Sequence, residues 1–183
     1  MLIVIRGEPG SGKTTICKNL INKIDDLKLR PCGFITTEIR DSKGERIGFE
    51  VQTLDGKKAI FSSVFIQSNY KVGKYRVDIG SFEKLAIPAL EKFESCDCSL
   101  LIVDEVGKME LLSKNFLTKI KEVLTIHSKG SLILTLPVSN FHPLIEEISS
   151  KADWSFFTTR KNRRSEEVAL KIFNLLKEYH QST

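Results

Sequence analysis

Residues 1–15 read MLIVIRGEPGSGKTT, and the fold class turns on this stretch. The run Leu2–Arg6 is short and apolar, as a strand buried on both faces is. It enters a glycine loop at once, and beyond it Ile16, Leu20, Ile24 and Leu27 recur at helical spacing. Strand, glycine loop and helix in that order give the motif G-x-x-x-x-G-K-[ST] its physical meaning. Gly7-Glu8-Pro9-Gly10-Ser11-Gly12-Lys13-Thr14 fits that motif in full. Glycines let the backbone curl until several N–H groups converge on phosphate oxygens, and the following helix adds its positive end. The expectation is a phosphate cradle from Gly7 to Thr15, with Lys13 reaching the β- and γ-phosphates and the Thr14 hydroxyl ligating Mg²⁺.

Outward from the loop the texture changes. From about 33 to 79 the chain carries period-two segments, GFITTEIR (33–40), IGFEVQTL (47–54) and KKAIFSSVFI (57–66), separated by the turn formers DSKGER and DG. These predict an antiparallel meander. Helical spacing returns at Phe82, Leu85, Ala89, Leu90 and Phe93, before an apolar strand at 100–103. A helix near 113–127 follows, with Leu112, Phe116, Ile120 and Leu124 on one face, and then a strand SLILTL (131–136). A short helix carrying Leu144, Ile145 and Ile148, a strand WSFFTT (154–159) and a last helix with Val168, Ile172, Leu175 and Tyr179 along one side complete the order. Strands alternating with helices imply an α/β protein: a mostly parallel sheet covered on both faces, with the meander inserted or appended at an edge.

A chain of 183 residues, 41% of them hydrophobic, suits one core and one domain spanning 1–183. No apolar run approaches the ~20 residues of a membrane span, and the opening run is not a signal peptide. Cys17, Cys32, Cys96 and Cys98 have neither a disulfide framework nor zinc spacing, so reduced thiols in the cytoplasm are expected. A net charge of +5 and a pI near 9.0 suit anionic partners, nucleotide or nucleic acid, without choosing between them. Lysine exceeds arginine and glutamate exceeds aspartate, a bias of hyperthermophile proteins. His127, His142 and His180 are scattered and propose no metal site.

The second chemical signal is LLIVDEVGKMEL (100–111). Asp104 follows four apolar residues, which puts it where a buried parallel strand emerges at its carboxyl end, the edge at which open α/β sheets bind ligands. There it is expected to hold the Mg²⁺ that bridges the phosphates. A carboxylate that holds metal must stay ionised and makes a poor base. Glu105 is therefore free to take a proton from water. Val106 and Gly107 complete the segment expected to touch nucleotide, and Gly107 permits a turn that folds Lys108 toward the γ-phosphate as a charge-neutralising finger. A solvated lysine before a helix is the alternative.

TTRKNRR (158–164) offers Arg160, Arg163 and Arg164 as rival fingers, Asn162 with an arginine as base or ribose contacts, or simply a solvated basic face. Thr135 reads equally as a contact to the γ-phosphate or attacking water and as a strand threonine. NKID (22–25) imitates a guanine-reading motif, but its place inside the first helix makes it a coincidence.

Taken together, GEPGSGKTT (7–15), GFITTEIR and GERIGFEV (33–40 and 44–51), VGKYRVD (72–78), LLIVDEVGKMEL and an Asn-Arg pair at 162–163 resemble the thermophile-type and cancer-related nucleoside-triphosphatases among P-loop proteins. The resemblance covers most of the chain in order. It implies a RecA-like core and slow, Mg²⁺-dependent hydrolysis of ATP, GTP, CTP and UTP with little base preference. By motif, Gly7 to Thr14 would bind phosphates, Asp104 the metal, and Glu105 with Lys108 would act in catalysis. Arg164 stands where the family pattern has an acidic residue. A nucleotide or nucleoside kinase, which needs a second substrate pocket, and a nucleic-acid-linked ATP switch are the competing readings, though no RNA-binding aromatic motif accompanies the basic charge.

Overall fold

Strand β1 (Leu2–Gly7) is buried almost throughout, and its side chains alternate between two cores, Leu2 and Val4 into one, Ile3 and Ile5 into the other. The same alternation separates Leu101 and Val103 from Leu100 and Ile102 on the strand that ends at Asp104, and Leu132 and Leu134 from Ile133 on the next. Strands apolar on both faces require helices on both faces. The computed structural model describes residues 1–95, 98–126, 130–151, 155–159 and 165–182. Among these, β1 joins β2 (Pro31–Arg40), β3 (Arg46–Thr53), β4 (Lys58–Ser63), β5 (Lys71–Val72), β6 (Tyr75–Val77), β7 (Leu100–Asp104), β8 (Ser131–Leu136) and β9 (Ser155–Thr159) in one sheet ordered β5-β6-β4-β3-β2-β7-β8-β1-β9.

Helices α1 (Lys13–Ile21) and α5 (Ser165–Gln181) cover one face; α2 (Ile79–Glu94), α3 (Lys114–Thr125) and α4 (Pro143–Ser149) cover the other. On the second face Phe34, Phe82 and Phe116 meet edge to face, with centroids 5.1 to 6.0 Å apart. Strands β2, β7, β8, β1 and β9 pair parallel, and β3, β4, β6 and β5 continue antiparallel from β2. The expected meander is thus appended at one edge of the same sheet. Strand β2 belongs to both parts. Its first half pairs with β7 up to Ile35 opposite Asp104, and its second half, Thr36–Arg40, runs past the end of β7 and stands as a wall beside Asp104.

Several sequence expectations need correction. Cys32 and Cys98 are disulfide-bonded, with Cα atoms 5.9 Å apart, although reduced thiols were expected. They are distant in sequence, but parallel pairing of β2 with β7 brings them together. Cys17 remains a buried free thiol, and Cys96 lies outside the described residues. The first helix stops at Ile21, and Ile24 and Leu27 belong to a separate 3-10 turn. Along α3 and α5 the most buried residues include Val123 and Leu176, one position away from the expected Leu124 and Leu175. The strand expected over 57–66 ends at Ser63, leaving Phe65 exposed, and the β5–β6 hairpin was not anticipated. No helix among the described residues is long and apolar enough to cross a membrane.

Candidate active site

The phosphate loop leaves β1 and turns into α1 through two glycines with left-handed backbone, Gly10 at φ 73° and Gly12 at φ 94°. An L side chain would be strained at either position. Helices α2 and α3 are capped by the side chains of Asp78 and Ser113, whereas Gly12 caps α1 with no side-chain hydrogen bond. The loop therefore offers its N–H groups and the positive helix end to an anion. Its back is braced by Ser11 Oγ against Thr159 Oγ1 at 2.6 Å, so β9 fixes the loop from behind.

Lys13 is buried. Its ammonium donates to the carbonyls of Gly7 at 2.9 Å and Glu8 at 3.3 Å and lies 3.3 Å from Glu105 Oε2. Asp104 and Glu105, joined by a cis peptide, occupy different surroundings. Asp104 is fully buried, and its Oδ1 accepts from the Thr135 hydroxyl at 2.6 Å, while Oδ2 is buried without a hydrogen-bond partner among the described residues. Burial pushes the Asp104 carboxyl up, opposed first by the hydrogen bond from Thr135 and then by the nearby Thr14 hydroxyl, the charge of Lys13 and the Thr36 backbone. Glu105 is also raised by burial, with Lys13 opposing and Asp104 adding to the shift.

A buried carboxylate oxygen that no hydrogen bond satisfies suits a divalent cation, and the Thr14 hydroxyl lies beside the same carboxyl, so Thr14 and Asp104 fit Mg²⁺. Among the described residues no group of three His, Cys, Asp or Glu side chains could hold an ion alone.

Lys13, Thr14 and Glu105 line a cleft of about 1060 Å³ together with Glu8, Pro9, Gly10, Gly12, Thr15, Gly107 and Lys108. Lys108 is exposed within it, its ammonium 5.3 Å from the Phe141 ring centre. The cleft lining does not include Gly7, Ser11, Asp104 or Val106. Val106 is a core residue whose N–H bonds the Thr135 carbonyl at 2.9 Å. The Thr135 hydroxyl is occupied by Asp104. Arg160, Asn162, Arg163 and Arg164 lie outside the described residues.

Matches to known proteins bear out the resemblance read from the motifs. A family model described as NTPase matches residues 2–173. The chain belongs to this NTPase family. Among relatives, the nucleoside-triphosphatase THEP1 of Aquifex aeolicus is 42% identical over 154 residues, covering 81% of this chain and 84% of its own. The cancer-related nucleoside-triphosphatase of Homo sapiens is 36% identical over 177 residues, covering 89% and 90%. The crystal structure of the Aquifex aeolicus THEP1 superposes with a TM-score of 0.83 at 36% identity, covering 97% of this chain and 99% of that one. The solution structure of the human protein gives 0.79 at 32% identity, covering 96% and 97%. Like its relatives, this NTPase is an enzyme with a P-loop α/β fold.

Two parts of the site escaped the sequence reading. Glu110 is buried, and its Oε2 accepts the Gly107 N–H at 3.1 Å. Burial, reinforced by the neighbouring Glu105, pushes its carboxyl up to about 8. An acid set among apolar residues in KMEL was the available signal. Arg6 donates to the carbonyls of Pro137 at 3.4 Å and Val138 at 2.5 Å and to Asn140 Oδ1 at 2.9 Å. It fastens the turn after β8 that carries Phe141 to the cleft.

Proposed function

We propose that this NTPase hydrolyses nucleoside triphosphates to the diphosphate and phosphate in a Mg²⁺-dependent reaction, with Glu105 as the base that deprotonates water in line with the β–γ bond. The observation that carries this reading is the division between two adjacent carboxylates. Asp104 is buried, oriented by Thr135 and left with one unpartnered oxygen beside Thr14, whereas Glu105 lines the cleft against the loop lysine. Thr14 and Asp104 would hold the ion, and Mg²⁺ when bound would neutralise charge on the β- and γ-phosphates. The loop N–H groups and Lys13 hold the same phosphates from the other side.

Glu105, with its carboxyl raised by burial, accepts the proton of the attacking water. Lys108, exposed in the cleft, neutralises negative charge that develops as the β–γ bond breaks. Phosphate recognition by backbone and lysine is blind to the base, which supports use of ATP, GTP, CTP and UTP alike. These substrates and Mg²⁺ are abundant in the cytoplasm, where the reading puts the enzyme. The decisive experiment is phosphate release from ATP with and without Mg²⁺ in the wild type and in Glu105→Gln. Release that needs Mg²⁺ and falls at least a hundredfold in the variant, with nucleotide binding retained, is the expected outcome. Undiminished turnover in Glu105→Gln would remove Glu105 from its role.

A further inference from the structure

The cleft is wider than the phosphate loop requires. From the loop it extends past Glu105 to a second wall made by Glu38 and Arg40 of β2, Arg46 and Phe49 of β3, and Tyr75 of β6. Between β1 and β3 lie β8, β7 and β2, and four strand spacings amount to about 19 Å. A triphosphate seated on the loop directs its γ-end toward Asp104 and Glu105, because Lys13 and the metal ligands engage the β–γ region. Its base therefore lies away from the second wall, which faces the γ-phosphate.

This wall is built around one fixed guanidinium. Arg46 lies 5.1 Å from the ring centre of Phe49 and 5.7 Å from that of Tyr75, donates from Nε to the Tyr75 hydroxyl at 2.9 Å, and donates from Nη1 to Glu38 Oε1 at 2.7 Å. Glu38 also pairs with Arg40. Desolvation favours a raised Glu38 carboxyl, yet the hydrogen bonds from Arg46 and Arg40 hold it below its ordinary value, so it stays charged. Two cations thus share one anion, and Arg46 Nη2 makes no hydrogen bond among the described residues. A preorganised arginine with a spare donor and excess positive charge recognises a phosphate group.

Spacing narrows the ligand further. Across the sheet β3 lies two strand spacings, about 10 Å, from β7, and along it Arg46 pairs with Arg40, about 16 Å beyond the Ile35 that pairs with Asp104. A nucleophile must come within about 3 Å of the γ-phosphorus. An acceptor anchored at Arg46 must therefore reach back along β2 to the γ-phosphorus, with its anionic group at one end and its reactive group at the other. We propose that the second wall is the acceptor half of a phosphotransferase site, for a phosphomonoester that also carries a free hydroxyl. Water takes the acceptor's place when hydrolysis is observed. This rests on the assignment of Glu105 as base.

In the transfer, the acceptor hydroxyl oxygen bonds to the γ-phosphorus as the bond from phosphorus to the β–γ bridging oxygen breaks. The bridging electron pair leaves with the nucleoside diphosphate. The hydroxyl proton passes to Glu105, and no oxidant or reductant is involved.

The test uses the full chain with γ-labelled ATP and Mg²⁺, offered ribose 5-phosphate or glucose 6-phosphate in one arm and adenosine 3′- or 5′-monophosphate in the other. Uncharged ribose and adenosine serve as controls. The expected result is label on a phosphorylated acceptor but on neither control, with the arm that responds separating sugar phosphates from mononucleotides. In Arg46→Ala and Arg46→Lys the ratio of labelled acceptor to free phosphate should fall at least tenfold, and continuing phosphate release reports that the variants fold. Normal phosphate release with no labelled acceptor in either arm would overturn the proposal. So would transfer indifferent to both variants, or a tenfold rise in the KM for ATP in Arg46→Ala, which would assign the wall to the nucleotide itself. Absence of phosphate release from the wild type would instead strike the hydrolase reading, and this one with it.

Discussion

Lys13 and Glu105 touch across the cleft, Nζ to Oε2 at 3.3 Å, so the loop cation and the proposed base hold each other where the γ-phosphate must enter. Binding of a triphosphate has to separate this pair, which is worth about 1 kcal/mol for a partly exposed contact. Glu105→Gln removes the competition, and nucleotide should bind about fivefold tighter by that estimate, while turnover falls at least a hundredfold. Equilibrium titration with a fluorescent nucleotide checks the first effect and phosphate release the second. Weaker binding in the variant would show that Glu105 contributes to affinity instead of opposing it.

Thr135 orients Asp104 through a 2.6 Å hydrogen bond in a fully buried setting. Thr135→Val keeps the shape and deletes the donor, leaving both carboxylate oxygens unpartnered by side-chain hydroxyls of β8. A lost hydrogen bond to a buried carboxylate costs about 1–3 kcal/mol. Denaturant unfolding without metal should register that loss, and added Mg²⁺ with nucleotide should recover part of it. The Mg²⁺ concentration for half-maximal turnover is expected to rise; an unchanged value would separate Thr135 from the metal site.

Glu110 gives the stability of the protein a pH dependence. Its carboxyl is pushed from an ordinary 4.5 to about 8 by burial and by Glu105. Between those values the unfolded chain has lost the proton and the folded chain keeps it. Stability contributed by this group is thus present below about pH 4.5 and lost as pH rises toward 8, with a slope near 1.4 kcal/mol per pH unit. Asp104 and Glu105 are raised as well and act in the same sense. The informative quantity is therefore the difference between wild type and Glu110→Gln, which mimics the protonated form. Denaturation midpoints without Mg²⁺ should coincide near pH 5 and diverge in favour of the variant by pH 8. Parallel pH profiles would mean that Glu110 ionises freely.

The Cys32–Cys98 disulfide, with partners 66 residues apart in sequence, ties β2 to the entry of β7. Closing a loop of that length restricts the unfolded chain by about 4 kcal/mol in the entropic account, and measured values commonly fall at 2–4 kcal/mol. Unfolding in denaturant with and without dithiothreitol should differ by that amount, and the Cys32→Ser and Cys98→Ser variants should match the reduced protein. Thiol titration of the denatured chain should yield two fewer groups before reduction than after. Equal counts would remove the bond.

Much of this architecture was legible because buried parallel strands and glycine loops write strong local patterns. SLILTL marks β8 residue for residue, and GEPGSGKT announces both the loop and its ligand chemistry. What stayed hidden depends on pairing between distant segments. Cys32 meets Cys98 only because β2 lies beside β7, and Thr36–Arg40 becomes a wall of the cleft only because β2 outruns its neighbour. Glu110 drew no reading from the sequence, since its burial is set by the turn from Gly107 and not by its own spacing. The hairpin holding Tyr75 is too short to carry a period-two signal.

Lys108 provides the last test. Its ammonium sits 5.3 Å from the centre of the Phe141 ring, on a turn fastened by Arg6 to the end of β8. A cation held against an aromatic face loses some freedom, which prepares it to meet charge developing on the γ-phosphate. A group that acts only in the transition state lowers kcat and kcat/KM equally when removed. Lys108→Ala should therefore reduce kcat by about a hundredfold with KM nearly unchanged, of the order seen when one electrostatic stabiliser is lost. Lys108→Arg should retain more activity than the alanine variant, and Phe141→Leu should cost severalfold by loosening the ammonium. A rise in KM with kcat intact would make Lys108 a ground-state phosphate contact, and no change in either constant would leave it as a solvated lysine at the rim of the cleft.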